Sequence, residues 1–274
     1  MIDPTALLGP ARRGVIVTAS DAGLCFGVNE GIARASAAGS IGGASLLVVA
    51  PFARDAVARL ADVPLGAQLA LSCEHDALDL RPLVDAPSLH GGRGGLPTSA
   101  LDAAEHADPD EVRREFRAQL AKARALGVTP VFLASHDDVV ARHLALFDAF
   151  LDLAEESQLP IRHGYDFGPI ALDAAALARS RGHFVAAATR NWTPGAGPLD
   201  DVLADLPDGL SEIIVSPARD GEELRATVAD AEARVATLAA LSRESVAAVA
   251  ARHGVAWITW RALSAAAAVR HAPA

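Results

Sequence analysis

Short runs of apolar residues alternate with longer amphipathic stretches along the chain. The runs at 14–20, 44–51 and 65–72 are rich in aliphatic residues, and the stretches at 27–39 and 52–62 between them have helical spacing. Near-continuous apolar strands are typical of parallel sheets that are covered on both faces. The pattern therefore predicts consecutive strand–helix units.

The alternation continues to the C-terminal end of the sequence. Further strands are predicted at 130–136, 160–164, 184–190, 211–217 and 255–260, and further helices at 108–127, 142–157, 171–181, 220–252 and after 260. Asp108 is the expected N-cap of the first of these helices, with Pro109 in its first turn. Seven or eight strands, each followed by a helix, predict an α/β fold, a distorted (β/α) barrel of about seven strands in one domain over residues 1–274.

One segment departs from this pattern. Residues 73–108 follow the third predicted strand and are too long for an ordinary strand-to-helix connection. We interpret the segment as an irregular insertion and as a candidate lid.

Composition narrows the classes of partner. The 274 residues are 51% hydrophobic and carry a formal net charge of -10, which argues against nucleic acid because phosphate neutralisation requires a basic face. No apolar run reaches the roughly 18–20 residues of a membrane span, and no signal peptide is recognised. Two cysteines do not make a disulfide framework. We expect a cytoplasmic protein without nucleic-acid or membrane partners, and a homo-oligomer is left open.

Candidate functional residues follow several predicted strands, since barrels of this kind carry their chemistry at the carboxyl ends of the strands. We expect Asp21, Glu74, His136, Arg190 and Asn191 to line a binding site there. The neighbouring pair 137–138 either supplies replacement oxygen ligands or, as we expect, is solvated, with one of its two aspartates capping the following helix. Trp192 is either part of a sugar site or the anchor of its loop.

Five stretches resemble motifs of the YdjC-like carbohydrate deacetylases. The first, ASDAGLCFGVNEGI (19–32), is similar to that family's A-D-D-F-G-L-S-x-G-V-N-x-G-I. The others are LGAQLALSCEHD, the stretch DPDEVRREFRAQLAKARALGVTPVFLASH, SEIIVSPARDGEELRA and ARHGVAWITWRAL. They occur in the family's order and cover nearly the whole chain.

The resemblance implies metal-assisted removal of an N-acetyl group from amino sugars. It places one metal ligand on Asp21 and another on His136, which are retained. It places the general base on Ser20, the remaining ligand on Gln68 and the general acid on Ser216. A hydroxyl whose pKa is far above 7 is no general base, and an amide replaces imidazole poorly on zinc-like metals.

Three hypotheses follow. The first is a family member that binds a sugar-like small molecule at the strand ends, needs no cofactor and has lost the standard deacetylation. The alternative is an active metal-dependent hydrolase or N-deacetylase, or a repurposed enzyme, whose rebuilt site consists of Asp21, Glu74, His136 and one of the aspartates at 137–138. In it, Asp21 and His136 are the candidate ligands of zinc or magnesium. The third is a structural or interaction protein without a ligand.

Overall fold

A curled parallel sheet surrounded by helices makes up the protein, as seen in a computed structural model that describes residues 5–92, 94–162 and 169–269. The strands are β1 (Arg13–Ala22), β2 (Gly43–Leu47), β3 (Leu65–Leu69), β4 (Leu133–Ser135), β5 (Thr189–Asn191), β6 (Gly209–Val215) and β7 (Val255–Trp257). The helices are α1 (Thr5–Leu8), α2 (Phe26–Ala37), α3 (Ala53–Arg59), α4 (Ala100–His106), α5 (Pro109–Ala125), α6 (Leu144–Ser157), α7 (Pro169–Ser180), α8 (Leu199–Ala204), α9 (Glu222–Thr227), α10 (Ala231–Leu241), α11 (Val246–Arg252) and α12 (Trp260–Val269).

Strand β1 organises the sheet. The strand order is β4-β3-β2-β1-β6-β5, and β7 pairs with the start of β1. Every pairing is parallel, for example Val15 with Ser211 and Thr18 with Gly43. All carboxyl ends therefore lie at one end of the curled sheet. This confirms the predicted distorted (β/α) barrel of about seven strands.

The interior of the barrel is closely packed at the end opposite these carboxyl ends. The rings of Phe132 and Trp260 stack with centroids 4.1 Å apart. Gly66 lies beside them, and a Cβ at this position would come within 2.5 Å of the Phe132 ring. Close packing here leaves the carboxyl ends of the strands as the place for a site.

Several predicted elements are confirmed and others are wrong in extent. The Asp108 side chain caps α5 by accepting hydrogen bonds from the backbone N–H groups of Asp110 and Glu111, as expected. The predicted single helix 220–252 is wrong, because α9, α10 and α11 replace it and the backbone is extended at Val228. An alanine-rich pattern hides such breaks, since alanine favours helix without marking its ends.

The described residues of two further segments, 160–164 and 73–108, are only partly regular in structure. Of the predicted strand 160–164, Ile161 forms an isolated bridge to Leu133, and residues 163–164 lie outside the described residues. The segment 73–108 contains a 3-10 turn at Pro87–Leu89 and the helix α4. Among the described residues, we found no helix with the length and apolar character of a membrane span.

Candidate ligand site at the carboxyl ends of the strands

Asp21 lies where β1 ends and has an unusual backbone. Its φ of 65° is in the left-handed region, and the pairing of β1 with β2 shifts register between Ala19 and Ala22. Residues other than glycine adopt this conformation at a cost and often do so at functional sites. The irregular strand end leaves the Asp21 side chain buried among its partners.

The amide of Gln68 connects the surrounding polar groups. Its Oε1 accepts hydrogen bonds from the backbone N–H of Asp21 at 3.1 Å and from the hydroxyl of Ser45 at 2.7 Å. These two donors fix the orientation of the amide. Its Nε2 therefore donates to Asp21 Oδ1 at 3.0 Å and to His136 Nδ1 at 2.9 Å. All four hydrogen-bonding positions of this buried amide are satisfied.

His136 extends the network to Glu74. Because Nδ1 of its imidazole accepts from Gln68, the neutral ring carries its proton on Nε2, which donates to Glu74 Oε2 at 2.8 Å. The other oxygen of Glu74 lies 3.2 Å from Nε2 of His75. Burial raises the pKa of Glu74, but the hydrogen bond from His136 outweighs this effect and the pKa is lowered.

Arg234 is a partner of Asp21 that the sequence did not reveal. From α10, its Nη2 donates to Asp21 Oδ2 at 3.0 Å and its Nε to Asp230 Oδ1 at 2.8 Å. Burial would raise the pKa of Asp21, but Arg234, His136 and the Gln68 amide hold it well below its usual range. An arginine 213 residues away in an alanine-rich helix carries no sequence signal of this contact. We call Asp21, Gln68, Glu74, His136 and Arg234 the Asp21 cluster.

Ser20 and Ser216 face each other beside this cluster. Their hydroxyl oxygens are 3.2 Å apart and hydrogen-bonded. These are the positions to which the resemblance assigns a base and an acid. Two paired hydroxyls have no group that titrates near neutral pH, so they cannot exchange protons as those roles require.

The expectation of a solvated pair is correct for Asp137, which is exposed, and wrong for Asp138, and neither residue caps α6. Both have a left-handed backbone, with φ values of 47° and 50°, and Asp138 is buried. His143 caps α6 instead, because its Nδ1 accepts from the backbone N–H of Ala145. Burial raises the pKa of Asp138 to about 8, against the opposing charge of Arg162.

A second buried carboxylate inside the barrel was also missed. Glu212 on β6 accepts a hydrogen bond from Thr18, and burial raises its pKa to about 7 although Arg162 opposes the shift. Arg162 also donates to the Ser45 hydroxyl at 3.3 Å, which in turn donates to Gln68. Arg162 is therefore connected to the Asp21 cluster through hydrogen bonds.

Arg190 and Asn191 lie on β5, apart from these contacts. Arg190 pairs with Asp205 at 3.2 Å, and the side chain of Asn191 is exposed. Trp192 is buried and donates from its indole to the carbonyl of Gly197, which is the behaviour of a loop anchor. Within the described part of the chain, we found no hydrogen bond from Arg190 or Asn191 to the Asp21 cluster.

The residues present do not fit a divalent metal. Asp21 Oδ1 and His136 Nδ1 lie 3.7 Å apart, but both are hydrogen-bonded to the Gln68 amide nitrogen. The second oxygen of Asp21 faces the Arg234 guanidinium, which would repel a cation. Over residues 5–92, 94–162 and 169–269, no group of three or more His, Cys, Asp or Glu side chains is arranged to hold a metal.

A cavity of about 440 Å³ opens beside the Asp21 cluster. Glu74 and Arg234 belong to both the cluster and the cavity wall, which also includes His75, Arg225 and Asp230. A volume of this size is in the range of small-molecule sites. The cavity lies between the segment that follows β3 and the segment that joins α9 to α10.

The fold and this site define an α/β protein of the barrel class with a buried carboxylate–amide–imidazole network at the strand ends. The family model of the YdjC-like proteins matches residues 14–252. The chain therefore belongs to the YdjC-like family.

Relatives with curated names are carbohydrate deacetylases. One from Brevibacillus brevis is 35% identical over 157 residues, covering 56% of this chain and 60% of the relative. One from Geobacillus stearothermophilus is 36% identical over 155 residues, covering 55% and 59%. The matched part of this chain thus spans about three fifths of the length of these relatives.

A solved structure shows the same fold. A protein of Enterococcus faecalis V583, described as a cellobiose-phosphate cleavage protein, has a TM-score of 0.81 and 20% identity. The likeness covers 92% of this chain and 99% of that protein. At this identity the match supports the barrel architecture alone.

Proposed function

We propose that this protein binds a sugar-like small molecule at the carboxyl ends of its strands and does not carry out the metal-assisted deacetylation implied by its family. The observation that carries the proposal is the Gln68 amide between Asp21 and His136. It satisfies the two groups that would otherwise be available to a metal. The ligand enters the adjacent cavity, whose wall contains polar groups suited to hydroxyls.

The sugar class is supported by the curated names of the relatives, which are carbohydrate deacetylases. Ligand binding without the standard reaction is supported by Ser20 and Ser216, whose hydroxyls pair with each other. Asp21, Glu74 and His136 remain in contact through one network and line or adjoin the cavity. The site thus keeps a cavity and a polar network, while hydroxyls stand at the positions of the base and the acid. This combination favours a binding role.

The test combines binding and turnover on one sugar. N,N′-diacetylchitobiose is expected to raise the melting temperature of the wild-type protein, with no acetate released in the presence or absence of zinc. Asp21→Asn is the variant control for turnover, because it removes the charge while asparagine still tolerates the left-handed backbone. Acetate release by the wild type that disappears in Asp21→Asn would contradict the proposal.

A second candidate function is an enzyme with a rebuilt site, and one observation favours it. The imidazole of His136 donates to Glu74 at 2.8 Å, and Glu74 is in the wall of the cavity. A hydrogen-bonded carboxylate–imidazole pair is a common acid–base unit. Turnover of the same sugar that is lost in Glu74→Gln would favour this candidate.

A further inference from the structure

The wall of the cavity beside the Asp21 cluster includes Arg234, a buried cation with one unpaired donor. The Arg234 side chain is 6% exposed, and its Nε and Nη2 atoms are bonded to Asp230 and Asp21. Its Nη1 atom is buried and has no hydrogen-bond partner among the described residues. An unpaired buried N–H costs roughly 1–3 kcal/mol, so an acceptor atom that reaches it is bound favourably.

Glu74 provides the complementary acceptor in the same wall. Its side chain is 39% exposed, although one oxygen accepts from His136. A carboxylate has about four acceptor sites, so Glu74 retains capacity for a hydroxyl or amide N–H of a ligand. The residues that line the cavity thus include a guanidinium with one unpaired donor, Arg234, and a carboxylate that can accept a further hydrogen bond, Glu74.

The charges of the wall indicate which ligands fit. Two guanidinium groups, Arg225 and Arg234, are outnumbered by the carboxylates of Glu74, Asp76 and Asp230. Arg234 already contacts two carboxylates, and Arg225 pairs with Asp220. An anionic ligand would therefore enter a wall whose positive charge is compensated, and it would be repelled by Glu74.

We propose that Arg234 and Glu74 anchor an uncharged sugar in this cavity, with Arg234 donating to a hydroxyl or carbonyl oxygen and Glu74 accepting from a hydroxyl or amide N–H. This inference rests on the proposed binding function and names its ligand class. It makes Arg234 a specificity-determining residue in addition to a partner of Asp21. It predicts that phosphorylation of the sugar weakens binding.

The experiment measures binding calorimetrically on matched ligand pairs: N-acetylglucosamine with its 6-phosphate, and cellobiose with its 6′-phosphate. At least one uncharged sugar is expected to bind about tenfold or more tightly than its phosphate. Tighter binding of the phosphates would overturn the assignment of ligand class while the proposed binding function stands. Failure of all four sugars to bind would overturn the binding function itself.

Variants then test the two anchors. Arg234→Lys retains a positive charge beside Asp21 but removes the guanidinium geometry, and it is expected to weaken binding of the uncharged sugar at least tenfold. Arg243→Lys, in a separate groove beside Trp192, is the matched control and is expected to bind the sugar as the wild type does.

Glu74→Gln alters a half-exposed side chain. It is expected to weaken binding of the uncharged sugar and to reduce the difference in affinity between this sugar and its phosphate. Unchanged binding in Arg234→Lys and Glu74→Gln would overturn the proposal.

Discussion

At the scale of single residues, Gln68 decides the character of the site. Its amide joins Asp21, Ser45 and His136 through four hydrogen bonds. Arg234 completes the neutralisation of Asp21 on the other side. The charge of the buried Asp21 carboxylate is thereby stabilised by two side chains of the protein itself, an amide and a guanidinium.

Gln68→His is expected to create a weak zinc site, because Arg234 still contacts one oxygen of Asp21. The substitution removes the amide that bonds to Asp21 and His136 and supplies a second imidazole next to them. Titration of zinc against a competing chelator is expected to show one bound equivalent in the variant and none in the wild type.

The matched control for this zinc titration is Gln119→His, which changes another buried glutamine that bonds to the backbone of Ala70 and to Glu115. It is expected to bind no zinc. Stoichiometric zinc in the wild type that is lost in His136→Ala would contradict our interpretation of Gln68.

The sequence located part of this residue set and missed the rest for a physical reason. Asp21, Glu74 and His136 were predicted from their positions after strands, and the structure brings these three together. Arg234, Arg162 and Glu212 were missed, because each lies in an ordinary helix or strand pattern and its partners are far away in sequence. Position relative to a strand end is visible in a sequence, whereas pairing inside a barrel is not.

At the scale of elements, α2 shows how close packing positions the site. Gly31 in α2 lies against the segment that follows β6, and a Cβ there would be 2.5 Å from the Cα of Ala218 and 2.7 Å from the Pro217 carbonyl. This segment carries Ser216 at the end of the barrel. The absence of a side chain at position 31 therefore permits the close approach of α2 to the segment that contains Ser216.

Gly31→Ala is expected to lower the free energy of unfolding by at least about 1 kcal/mol, because overpacking against backbone outweighs the gain in helix propensity. Gly195→Ala is the control, since its nearest neighbour would be 3.8 Å away, and it is expected to change stability by less than about 0.5 kcal/mol. Urea denaturation of the three proteins measures the difference. Equal stability of Gly31→Ala and the wild type would show that the close contact relaxes without cost.

Element types were predicted better than element limits. The capped helix α5 was found because Asp108, Pro109 and Gly127 mark its ends. The helix expected over 220–252 is broken where the chain becomes extended at Val228, so that α10 starts anew and directs Arg234 toward Asp21. Tertiary contacts of this kind determine where the helix ends, and the local pattern does not contain them.

At the scale of the whole molecule, burial keeps two carboxyl groups, those of Glu212 and Asp138, protonated more readily than in the unfolded chain. The charge of Arg162 opposes the pKa shift of both groups, and Asp137 and Arg142 act on Asp138 in opposite directions. The raised pKa values, about 7 for Glu212 and about 8 for Asp138, mean that the folded protein retains protons that the unfolded chain releases near pH 4.

Stability is therefore expected to fall as the pH rises from about 4 to about 8. The folded state binds more protons than the unfolded state in this window. The stabilisation contributed by Glu212 and Asp138 is therefore complete below the pKa values of these groups in the unfolded chain, and it is lost as the pH rises through their pKa values in the folded protein. Each carboxylate contributes a slope of at most about 1.4 kcal/mol per pH unit. Glu212→Gln and Asp138→Asn are expected to flatten the dependence of the unfolding free energy on pH.

Asp205→Asn provides the control for this pH dependence, because Asp205 forms an exposed pair with Arg190. Its pH profile is expected to follow that of the wild type. A profile of Glu212→Gln that matches the wild type would contradict the assignment of retained protons to the interior.

The four hydrogen bonds of Gln68 also bear on how this lineage could change. Replacing the glutamine by histidine would disrupt all of them in one step, at a cost of the order of 1 kcal/mol for each bond that is not remade. A descendant with histidine at position 68 would be less stable than the present protein unless bound zinc compensated for the lost hydrogen bonds. Replacement of Gln68 is thus impeded by the stability of the present arrangement, and descendants of this chain are expected to diversify at the cavity wall while retaining the glutamine.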